Sequence, residues 1–186
     1  MIAGLIPASP VHRPEIVMSA QTLLNSLFQY KASTDDELLD ALNGLGAEAR
    51  SEAFSSALRV LNHAHLVDRI FAANLQRQPH SYAASWSSEA PPLALLASDI
   101  RETDRWYMAY TSRLTPEELE EVVDFTFTDG GRGRMSREEM LAHVVTHAGY
   151  HRGEVGRLLP DIESTAMRDV FAGYLHRTDP ARRQHE

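Results

Sequence analysis

Apolar residues recur three and four positions apart along most of this 186-residue chain, the rhythm of helices with one buried face. From about Val17 to Leu42 the apolar positions are Leu23, Leu24, Leu27, Phe28, Leu38, Leu39 and Leu42, and Gly44 and Gly46 then stop the helix. A second helix is predicted over Ala53 to Gln76. Its inner face is Phe54, Leu58, Leu61, His65 or Leu66, Ile70 and Ala73, and it ends before Pro79. The polar stretch "SYAASWSSEAPP" reads as a loop. A third helix runs from about Leu93 to Leu114, with Leu96, Ile100, Trp106, Tyr107, Tyr110 and Leu114 turned inward as core.

The pattern then breaks. Thr115, Pro116 and Glu118 have the form of an N-cap, an N1 proline and an N3 acid, so one or two short turns are expected there. Val122, Val123, Phe125 and Phe127 before "DGGRG" suggest a short extended piece and a glycine-rich loop. Ser136 and Glu139 form a second capping box, opening a fourth helix that continues through Leu159 to its stop at Pro160. The expected organisation is a loosely ordered leader over 1–16, one bundle over 17–160, and a tail over 161–186 with a short helix near Ala166 to Leu175. Four long helices without strands enough for a sheet define an all-α fold, a four-helix bundle, with a short irregular or extended segment between helices three and four.

Composition narrows the chemistry. Cysteine is absent, so the protein supplies no disulfide, no thiolate ligand and no thiol nucleophile. Eighteen basic against 26 acidic residues give a net charge of -8, with the basic residues scattered, which argues against nucleic acid as a partner. No run approaches the ~20 apolar residues of a membrane span. The opening "MIAGLIPASPVHRPEIV" lacks a basic start and is broken by Pro7, Pro10 and Pro14. A cytoplasmic protein without a membrane partner is expected.

The chemistry sits in "AHVVTHAGYHRGEV", where His143, His147 and His151 follow one another at intervals of four. Such residues advance about 40° per step around a helix and line one stripe. Adjacent members can chelate one ion, whereas His143 and His151 stand ~12 Å apart along the axis. A further ligand must then come from another helix. The second helix offers His63 and His65, which differ by about 200° around its axis, so only one of them faces the bundle. Val144, Val145 and Ala148 place the ladder near the core. A di-iron carboxylate centre is excluded, because Met140, Val144 and Ala148 stand three before the histidines where Glu-x-x-His pairs would need glutamate.

"HVVTHAGYHRGEVGRLL" resembles the fourth-helix signature of the DinB/YfiT-like family, H-x-x-x-H-x-x-x-H-R-G-[QE]. "LNHAHLVDRIF" is similar to the family's second-helix motif, and "FQYKASTDDELLDAL" resembles its opening helix; together these span about Val17 to Pro160. The resemblance implies a four-helix bundle carrying one divalent metal, zinc or nickel, on one histidine of the second helix and two of the fourth. Carried over by position these are His63, His147 and His151, with His143 beside them as core or supporting residue. It further implies an open coordination position and a metal-dependent enzyme, a transferase or isomerase using a low-molecular-weight thiol, or a hydrolase, with a small-molecule substrate and a homodimeric state. The alternative is a metal-binding stress protein without turnover. Asp68 either orients a ligand or lies on the solvated side. Arg152 and Glu154 are read as structural, and Gly153 and Gly156 as places where another helix, a dimer partner's included, comes close.

Overall fold

Each long helix forms where the sequence rhythm places it. In a computed structural model describing residues 19–46, 51–159, 162 and 170–182, they are α1 (Ala20–Asn43), α2 (Glu52–Leu75), α3 (Leu93–Arg113) and α5 (Arg137–Leu158). A short α4 (Pro116–Glu120) and a hairpin of β1 (Val122–Thr126) and β2 (Arg132–Ser136) join α3 to α5, and α6 (Phe171–Thr178) follows. Both anticipated capping boxes are made: Thr115 and Ser136 accept from the N3 amides while Glu118 and Glu139 return to the cap amides. Ser19 and Ser51 cap α1 and α2 in the same way with their hydroxyls. The tail helix is described from Phe171, and its expected start near Ala166 lies outside the described residues. The expected leader, 1–16, lies outside the described residues, as does most of the segment before α6.

The extended piece is one arm of an antiparallel hairpin, and its partner β2, "RGRMS", has no apolar alternation to announce it. Gly130 turns the chain at a φ of 88°, a conformation open to glycine. Gly133 faces Phe125 across the register, and a Cβ there would stand 2.4 Å from the tip of the phenyl ring, so the ring occupies the space over bare backbone. Arg137 ties the hairpin's base to the bundle by donating to Glu121 and, at 2.6 Å, to the Leu75 carbonyl.

In the bundle α1 packs on α3 and α5, while α2 packs on α5 and α3. Two apolar cores result. One gathers Phe28, Phe71, Tyr107, Met140 and Val144 towards the hairpin, with Phe28 stacked on Tyr107 at 4.9 Å. The other gathers Leu38, Leu42, Leu58, Leu96 and Val155 at the opposite end. Trp106 is only partly buried, while Tyr107 and Tyr110 are core as expected.

Between the cores lies a layer of buried charge. Lys31 of α1, 1% exposed, reaches Asp35 at 2.9 Å, Asp68 of α2 at 2.9 Å and Asp104 of α3 at 2.6 Å. Arg152 of α5 completes it at 2.8 Å from Asp35. Asp68 is therefore neither a ligand's partner nor solvated, as the sequence suggested; it is 4% exposed and bound to lysine. His65 faces the same layer through a cavity of about 20 Å³.

Among the described residues three carboxylates meet two cations here, and burial resists negative charge. Burial pushes Asp104 up to about 7 and Asp68 up to about 6, against the pull of Lys31. Asp35 also suffers burial, but Lys31 and Arg152 together hold it below the ordinary range. The lysine, flanked by all three, stays charged.

Lys31→Met would leave the carboxylates facing one cation fewer, and a loss of about 3–5 kcal/mol in unfolding free energy is expected from denaturant titration. Asp104→Asn tests the shared proton. With its folded pKa raised, Asp104 holds a proton in the native state that the unfolded chain has lost, so its stabilising contribution disappears as pH rises through about 7. Relative to wild type, Asp104→Asn should therefore gain about 1 kcal/mol between pH 6 and pH 8, since asparagine mimics the protonated acid at every pH. A pH-independent difference in denaturation midpoints would exclude a proton on Asp104.

Candidate metal centre

Helix α5 displays its histidines on the flank facing α2, and α2 brings His63 to meet two of them. The ligand atoms of His63, His147 and His151 lie within 4.8 Å of one another, and this is the group of such donors found among the described residues. The Nε2 atoms of His147 and His151 are 3.1 Å apart. A tetrahedral ion with zinc–nitrogen bonds of about 2.0–2.1 Å separates its ligands by about 3.4 Å, so this pair needs little adjustment.

The other ring nitrogens show how the donors are aimed. His63 Nδ1–H donates to the Ser85 carbonyl at 2.7 Å, leaving Nε2 with its lone pair free. His151 Nδ1–H donates to Glu154 Oε2 at 2.5 Å, which frees its Nε2 in the same way. His147 Nδ1 is buried with no hydrogen-bond partner among the described residues. Trp86, from the loop that supplies Ser85, lies beside His63 with ring centroids 5.3 Å apart.

Electrostatics favour the neutral form of the ladder histidines. Burial first, then the proximity of His151, His143 and His63, lowers His147 to about 3. Burial also lowers His151, against the opposing pull of Glu154, and lowers His143. Neutral imidazoles offer lone pairs at pH 7, the state a cation requires. The donor set therefore fits a divalent ion.

The remaining sequence candidates sort clearly. His65 is turned away into the charge layer, as the angular argument requires of one of the α2 pair. His143 stays outside the group and stacks on Phe71 at 4.7 Å. Arg152 pairs with α1, a structural part as read. Glu154 does more than was read from sequence: it holds His151. Its signal was a glutamate three residues after a histidine on one helix, which puts the two on one face. Gly153 does not mark a close helix among the described residues, since a Cβ there would meet nothing within 4 Å.

This is a helical bundle whose two facing helices present a three-histidine group able to hold a metal ion. The chain belongs to the DinB family, whose model matches residues 18–162. No curated protein and no solved structure matches it. Among the described residues no helix is long and apolar enough to cross a membrane.

For an ion on these three rings, Glu154→Gln should weaken affinity by about 10–100-fold, because the amide orients His151 less firmly and no longer raises its basicity. Competition against a chromogenic chelator measures this. Unchanged affinity would show that Glu154 takes no part in aiming the ligand.

Proposed function

We propose that this protein is a metal-dependent enzyme holding one divalent ion, zinc or nickel, through His63, His147 and His151. The observation that carries the reading is the pair of hydrogen bonds from His63 and His151 to Ser85 and Glu154, which point two Nε2 lone pairs at the same space as His147. Three protein ligands leave a position open, the arrangement of a catalytic site. When bound, the ion supplies a Lewis acid that makes a coordinated thiol or water nucleophilic at neutral pH.

The chain's own residues set up that chemistry. Ser85 and Glu154 fix the tautomers of His63 and His151, and three neutral ligands leave the ion's charge undiminished for whatever occupies the fourth position. Without cysteine the chain offers no thiol of its own, so thiol chemistry here needs a low-molecular-weight thiol as co-substrate. A transferase or isomerase of that kind, or a hydrolase acting through water, is the activity proposed. One observation favours a second reading, a metal-binding protein without turnover: among the described residues no Asp, Glu or Lys lines the pocket beside the triad to move protons.

Elemental analysis of untagged protein should find one divalent ion per chain. His147→Ala should lose it, and His65→Ala should keep it. Full retention of metal in His147→Ala excludes the ligand set. Chelation should abolish turnover of small-thiol or hydrolytic substrates while the helical circular dichroism persists, because two apolar cores hold the helices together. If the loaded protein turns over no such substrate, the non-catalytic reading stands in its place.

A further inference from the structure

The histidine group opens into a pocket of about 330 Å³, whose walls include both His63 and His147. That volume lies at the small end of the range for small-molecule sites, about 300–1,000 Å³. Helix α2 contributes Val67, Ile70 and Phe71, and the hairpin contributes Phe125, Phe127 and Met135. Asn74, Ser85 and two threonines add neutral polar groups, and among the described residues no Asp, Glu, Lys or Arg lines it. Clefts elsewhere on the described surface differ: Arg69 and Glu102 line the one between α2 and α3, and Arg77 and Asp124 line the one beside the hairpin.

We propose that this pocket is the substrate subsite of the histidine centre, and that it takes an uncharged, apolar, ring-sized group of a small molecule. A carboxylate or ammonium placed there would lose its hydration and find no ion to replace it. An aromatic or branched aliphatic group loses nothing of that kind and gains the burial of its own surface and of the walls. Phe127, 47% exposed at the mouth, is a large apolar ring left in water that such an occupant would cover. The walls are already set for a flat group. Phe71 is stacked on His143 at 4.7 Å and 25°, and Phe125, seated over Gly133, meets Phe127 edge-on at 4.9 Å. The placement of the substrate's reactive atom at His63 and His147 rests on the metal-binding reading; the chemistry of the pocket does not.

The test separates the two. Zinc-loaded full-length protein is titrated calorimetrically with acetohydroxamate, benzohydroxamate and 4-carboxybenzohydroxamate, which share one metal-binding group. Benzohydroxamate should bind at least about tenfold tighter than acetohydroxamate, the added carboxylate should remove most of that gain, and Phe127→Ala should narrow the ratio. In parallel, the methyl resonance of Met135 in the metal-free protein should shift saturably with toluene and not with benzoate. If zinc fails to bind while toluene shifts Met135, the metal reading fails and the pocket stands. Equal affinity for the two uncharged hydroxamates, or a Met135 methyl that toluene moves no further than benzoate does, overturns the proposal.

Discussion

Everything in this bundle is built around one lysine in the wrong solvent. Lys31 sits in the interior with an aspartate from its own helix, one from α2 and one from α3, while Arg152 of α5 closes on Asp35. A buried charge that misses its partner is far more costly than a buried apolar group that packs imperfectly. Sliding any of the four helices by a turn would strand at least one of these charges, whereas the two apolar cores on either side could repack around the shift. The layer therefore constrains the heights of the helices in a way the cores do not.

The histidine group inherits that constraint. His151 adjoins Arg152, and a step of about 100° around the helix turns one residue towards α1 and the other towards α2. His63 precedes Asp68 by five residues, about 140° around α2, so the anchored aspartate faces inward while the histidine lies on the flank next to α5. The same two helices thus carry the charge layer inside and the donors at their shared edge. Glu154 adds the last local part, one turn beyond His151 on the same face.

Much of this was legible in sequence because it is local. The four long helices follow from apolar spacing, both capping boxes follow from residues three apart, and the His147–His151 pair follows from helix geometry alone. Angular separation left one of His63 and His65 facing the donors without saying which; the family resemblance pointed to His63, and the structure brings that residue to the ladder. The charge layer was not legible. Lys31, Asp68 and Asp104 look like solvated residues until the partners from other helices are known, since only mutual pairing lets them be buried. Strand β2 was missed for a related reason. "RGRMS" carries no strand signal, and it is extended because β1 and the Arg137 anchor hold it there. Ser85 could not be found at all, because its contribution is a backbone carbonyl on a loop.

Charge is divided unequally between the two polar regions. Among the described residues the layer holds three carboxylates and two cations deep between the cores, with burial favouring a proton on Asp104. The histidine centre holds imidazoles and, among the described residues, one carboxylate, Glu154, directed at a ligand's far nitrogen and away from the pocket walls. An ion seated there on the proposed reading would meet no competing cation and no excess of negative charge. Its field would fall mainly on the open position and on a pocket that has no charges with which to screen it. If the site is catalytic, it would leave acid and base chemistry to the metal and its bound ligand, and ask the surrounding residues for shape and aim.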